Sequence, residues 1–140
     1  MPYPQVSYSR ADALMTISNA FPAQNTTAAS TGSIDLGVAA PNLAGTDSDL
    51  VLTLPATSTA TGQTFTFTVQ DSADNVTFAA TGPIARLAPA VITGVASATA
   101  AQTFTWRLPA NVRRYINVTV TASATTGNQT ALSYTLQVLT

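Results

Sequence analysis

Over much of the chain, large apolar residues occupy every second position, with a hydroxyl or amide between them. Phe65, Phe67 and Val69 alternate with Thr64, Thr66 and Thr68 across 63–70. Leu50, Leu52 and Leu54 do so across 49–54, where Pro55 ends the run. Phe104, Trp106 and Leu108 alternate with Thr103, Thr105 and Arg107. Ile116, Val118 and Val120 alternate with Asn117, Thr119 and Thr121, and Leu132, Tyr134, Leu136 and Val138 with Ser133, Thr135 and Gln137. A period of two marks a strand with one buried and one wet face. The branched β-carbon of Thr suits the wet face of a pleated strand. Shorter candidates are 12–20, 33–36 (closed by Gly37), a return strand at 76–80 after a turn at 72–75, and 84–87 and 90–93, separated by Pro89. The stretch 21–31 is small and polar and reads as a loop. No segment carries a sustained 3.6-residue apolar stripe. Eight or nine strands predict an all-β, antiparallel two-sheet sandwich, jelly-roll-like in form.

The first ten residues break this pattern. Pro2 and Pro4 forbid a regular helix and push their neighbours to extended geometry, which reads as an extended N-terminal arm. The chain divides into an arm and lead-in at 1–20 and one sandwich domain at 21–140. An arm that carries Tyr3, Tyr8 and Arg10 is suited to docking on a neighbour, because Tyr and Arg are enriched at interfaces.

Composition narrows the chemistry. Charged residues make up 8% of the 140, against about 25% in an ordinary domain. The sequence has no Lys, Glu, His or Cys; its charges are five Arg and six Asp. This removes an imidazole base, a Schiff-base lysine, a thiol nucleophile and a disulfide framework. With no G-x-S-x-G elbow or Gly-rich phosphate loop either, no enzyme and no cofactor are expected. The net charge of −1 argues against a nucleic-acid partner. No apolar run of signal-peptide length follows Met1, and none approaches a membrane span, so no membrane partner is expected. So few charges suit a surface covered by neighbours or kept wet by hydroxyls.

The remaining candidates are weak. Asp47 with Asp49, and Asp71 with Asp74, lack the glycine and distal Glu of a calcium loop and read as turn formers, so no metal is expected. Four Asn-x-Thr sequons, at Asn25, Asn75, Asn117 and Asn128, are discounted as glycosylation sites, Asn117 lying mid-strand. Arg107, Arg113 and Arg114 form the basic cluster. Two readings stay open for it: pairing with Asp35 or Asp71 of the same chain, or docking of Arg113 and Arg114 onto an acidic partner surface.

Three stretches, in order, carry a resemblance. They are Ala29-Ser30-Thr31-Gly32-Ser33-Ile34-Asp35-Leu36-Gly37, then Phe67-Thr68-Val69-Gln70-Asp71-Ser72-Ala73-Asp74-Asn75-Val76-Thr77-Phe78, then Arg107-Leu108-Pro109-Ala110-Asn111-Val112-Arg113-Arg114-Tyr115-Ile116. Together they resemble the capsid cement (decoration) proteins of tailed bacteriophages over about 29–121. The resemblance implies a jelly-roll-like sandwich that assembles into small symmetric homo-oligomers, dimers or trimers at local symmetry axes. It implies attachment to the major capsid protein on the outside of the shell, and no catalysis or cofactor. The alternative is a phage tail or receptor-binding sandwich module that recognises host glycans.

Overall fold

The computed structural model describes residues 15–37, 48–57, 62–94, 99–123 and 129–139. The strands are β1 (Thr16–Ala20), β2 (Thr27–Ala29), β3 (Ile34–Asp35), β4 (Asp49–Leu54), β5 (Thr64–Ser72), β6 (Ala90–Thr93), β7 (Gln102–Arg107), β8 (Tyr115–Ala122) and β9 (Ser133–Leu139). A 3₁₀ turn, Gly82–Arg86, precedes β6. The strands form two antiparallel sheets, of four strands in the order β1-β9-β4-β7, and of five in the order β2-β8-β5-β6 with β3 also on β8. β2 and β3 both pair along β8, at Thr121–Thr119 and at Ile116–Tyr115, and act as one interrupted strand. Counted so, the pairs nest: β1 with β9, β2/β3 with β8, β4 with β7, β5 with β6. That is the winding of a jelly roll.

The alternation places the core. Phe65, Phe67, Val69, Leu50, Leu52, Leu54, Ile116, Val118, Val120, Leu136 and Val138 are all buried between the sheets. Phe21, in the crossover from β1 to β2, sits edge-on to Phe65, Phe67 and Tyr134 at centroid distances of 5.0, 5.8 and 5.9 Å. Such edge-to-face pairs each contribute about 0.5–1.5 kcal/mol beyond their area burial. Asn19 ties the sheets together on the same side: its amide oxygen accepts the Thr31 N–H at 2.7 Å, and Thr31 lies in the break between β2 and β3.

The observed strands depart from the expected ones in three places. The loop expected at 21–31 contains β2, whose three residues are all exposed and so carry no inside-outside contrast. The return strand expected at 76–80 reduces to a single bridge between Asp71 and Ala79, because Asp74 captures the Val76 and Thr77 N–H groups, each at 2.9 Å. The weak strand at 84–87 is replaced by the 3₁₀ turn, with Pro83 at its start and Ile84 plugged into the core. The candidate at 12–20 is a strand over Thr16–Ala20, paired along its length with β9.

Trp106 points inward beside Leu50, as its alternation predicts, but β7 is an edge strand and leaves it half-buried. Its ring stacks on Phe104, and its indole N–H donates to the Ala88 carbonyl at 2.9 Å, closing the side between β7 and β6.

Candidate interaction site at the charged end

The strand registers fix which residues share an end of the sandwich. Asp49 lies opposite Arg107 and Leu139, and Ser72 and Asp35 both lie opposite Tyr115. The segment 108–114 touches both sheets at this end. Leu108 N–H donates to Ser48 at 3.0 Å in the four-stranded sheet, and Arg113 N–H donates to Asp71 Oδ2 at 2.9 Å in the other. The described residues contain four Asp (35, 49, 71, 74) and four Arg (86, 107, 113, 114). The four Asp lie here with Arg107, Arg113 and Arg114.

The acids and bases pair within the chain. Arg114 grips Asp35 with two parallel bonds, Nε to Oδ1 at 2.7 Å and Nη2 to Oδ2 at 2.9 Å, and its guanidinium lies 4.9 Å from the Tyr115 ring centre. The Arg114 bond and then the Gly37 N–H hold the Asp35 carboxyl below its ordinary range, and Asp35 in turn raises Arg114. Arg113 Nε lies 2.8 Å from Oδ1 of Asp71, a carboxylate with no exposed surface. That contact is ionic and lacks hydrogen-bond alignment. Arg113 Nη2 also reaches the Thr81 carbonyl at 3.4 Å. Arg107 and Asp49 face each other across β7 and β4 at 3.3 Å, both well exposed. Exposed pairs add little to stability, and the two-pronged Arg114–Asp35 contact is the geometry among them that holds best.

Asp74 serves its own turn. It accepts the Thr77 and Val76 N–H groups and the Ser72 hydroxyl, which lower its pKa to about 2. Asn75, at the apex, has φ of 60° and accepts the Ser33 hydroxyl at 2.6 Å, joining this turn to the β2–β3 break. Left-handed backbone of this kind suits Asn better than most residues. Val76, next to it, is 80% exposed, the most exposed large apolar residue among those described.

Of the residues singled out from sequence, Tyr3, Tyr8 and Arg10 lie outside the described residues. Arg113 and Arg114 come together at the charged end, each engaged with one of the two aspartates named for it. Sequence reasoning missed that Asp71 is buried; the signal was its position, in phase with Phe65, Phe67 and Val69 on the inward face of β5. Asn117 is 4% exposed, so the sequon within β8 is not accessible in the fold. Among the described residues no group of three or more acids could hold a metal ion.

A sequence profile of the family Bbp16 matches residues 18–138, from within β1 to within β9. The chain belongs to the Bbp16 family. Bbp16 is a phage-related family, and the matched span takes in strands of both sheets. No curated protein matches the chain.

Proposed function

We propose that this Bbp16 protein is a structural virion protein, a cement or decoration protein. It would bind the outside of the shell built by the major capsid protein and bridge neighbouring subunits. The observation that carries the reading is the use of its charges. The three arginines of the basic cluster each face an aspartate of the same chain, at 3.3, 2.8 and 2.7 Å. Such an arrangement braces a scaffold and is not aimed at a ligand. The phage-related family and the hydroxyl-bearing outer faces support the same reading. A shell joint gains strength from added buried area, and a stable protein interface buries roughly 1,200–2,000 Å². On this reading the protein self-associates at local symmetry axes, and the arm with Tyr3, Tyr8 and Arg10 lies over a neighbour.

The test mixes purified protein with shells lacking it and measures bound copies per particle and the rupture temperature. Hundreds of copies and a raised rupture temperature are expected. A chain lacking residues 1–10 should still fold but decorate poorly. Copy number in purified virions separates this reading from a tail or receptor-binding module, which would be present in a handful to tens. Absence of binding to shells would refute the cement role.

A further inference from the structure

The two sheets present lateral edges at β1 and β7 in one, and at β6 and the β2/β3 pair in the other. An edge strand offers main-chain N–H and C=O groups to any matching strand, and folds commonly guard it with Pro, short length or interruption. β2 and β3 have three and two residues with a break between them, and β6 has four and follows Pro89. β1 has five residues. β7 is the longest of these edges, six residues in unbroken register from Asp49–Arg107 to Leu54–Gln102. Its charge, Arg107, is offset by Asp49 of the adjoining strand at 3.3 Å.

The register shows which groups β7 offers. Leu108 N–H donates to the Ser48 carbonyl at 3.0 Å, one step beyond the Asp49–Arg107 pair. In an antiparallel ladder the N–H and C=O of one residue point the same way, and the direction reverses at each residue. Trp106, Phe104 and Gln102 therefore bond to β4, and Thr103, Thr105 and Arg107 turn their main-chain groups away from it. The side chains of those three are exposed. Those of Phe104 and Trp106 stack on each other at the inner face and stay half-buried.

This strand is complementary to itself. Set antiparallel to a second β7 about a twofold axis through Thr105, each Thr105 faces its copy and each Thr103 faces Arg107. These are the residues whose main-chain groups point outward, so every facing pair exchanges two main-chain hydrogen bonds. Between them Phe104 of each copy faces Trp106 of the other, in the non-bonded pairs where opposed side chains lie closest. The half-buried rings of both copies then meet in one layer on the inner face. The two Arg107 side chains sit about 14 Å apart along the joint, each beside its own Asp49, so like charges are not opposed.

We propose that β7 is a self-pairing edge, by which two copies of this chain join their four-stranded sheets into one continuous sheet across a twofold axis at Thr105. The inference deepens the self-association of the cement reading by naming its surface. The paired flank is about 20 Å long and, with two sheets about 10 Å apart and their outer side chains, about 20 Å deep. That gives roughly 800 Å² over both copies, below the roughly 1,200 Å² of a stable interface. The dimer is therefore weak in free solution and gains strength where a shell holds two copies side by side.

The test reads the register. Thr105→Lys sets two cations face to face across the axis, and Thr105→Asp sets two carboxylates there. Thr93→Lys, on the exposed outer face of β6, is the control. All three substitutions are at exposed positions, so circular dichroism of the dilute full-length chains should match the wild type. Self-association is followed by sedimentation equilibrium from about 10 μM to about 1 mM. The wild type should dimerise within that range. Each Thr105 variant alone should dimerise at least about tenfold more weakly, and Thr93→Lys should change it less than about twofold. An equimolar mixture of Thr105→Lys and Thr105→Asp should recover dimers, because the opposite charges then face each other. A wild type that stays monomeric, association untouched by the Thr105 variants, or a mixture no better than its components overturns the pairing. Wild-type cosedimentation with undecorated shells is measured in parallel. Shell binding by a chain that never pairs through β7 keeps the cement reading and overturns this inference; pairing without shell binding overturns the cement reading and keeps the inference.

Discussion

Replacing Arg113 with Ala should destabilise the fold more than any other single arginine substitution among the described residues. Asp71 has no exposed surface, and Arg113 provides its cation at 2.8 Å while keeping 35% of its own side chain in water. Breaking a fully buried pair from one side costs about 3–5 kcal/mol, and breaking an exposed one about 0–1. The half-wet geometry here places the cost between them, at about 2–3 kcal/mol. A domain of this size holds only about 5–15 kcal/mol in all, and about 1 kcal/mol moves its melting point by roughly 3–4 °C. The expected fall is therefore about 6–12 °C, read by circular dichroism, with a matching loss in urea melts. Asp71→Asn in the Arg113→Ala background removes the stranded charge and should recover about 1 kcal/mol or more, a coupling that marks a direct pair. Arg113→Ala within about 0.5 kcal/mol of the wild type, or a double variant no better than the single, would refute the argument. The same logic ranks the other two pairs lower: Arg107→Ala and Arg114→Ala free carboxylates that water already reaches.

Asp74 gives an acid prediction. Its folded pKa of about 2 lies below the ordinary carboxyl value near 3.9, so its stabilisation is complete above about pH 4 and is lost as pH falls toward 2. Asp74→Ala should flatten the acid limb of the stability curve and leave the slope above pH 5 unchanged; an unchanged acid limb would exclude the turn as its source. Tyr134 gives the alkaline counterpart, because burial raises it to about 12. Its neutral form is favoured by the fold, so that stabilisation is complete below about pH 10 and is lost between about 10 and 12. Absorbance titration should show one tyrosine ionising with or after unfolding; all tyrosines titrating near pH 10 in the intact fold would contradict its place in the core.

The sandwich was legible wherever one strand face meets the core and the other meets water. β5 and β9 announce themselves because Phe65, Phe67 and Val69, or Tyr134, Leu136 and Val138, strictly alternate with polar residues. β2 was silent for the opposite reason: Thr27, Ala28 and Ala29 are small and wholly exposed, and they are a strand only because the β8 edge pairs with them. The segment after β5 misled because Phe78 suggested a returning strand. The decisive residue was Asp74, whose side chain competes for the N–H groups that a strand would need.

The arginine cluster was visible as composition, and its two aspartate partners could be named. Which arginine takes which aspartate depends on contacts 79 and 42 residues apart along the chain, and only the register of β3 on β8 and of β5 on β8 brings them together. Local periodicity thus specifies what each strand buries, while topology decides what the molecule presents to its surroundings.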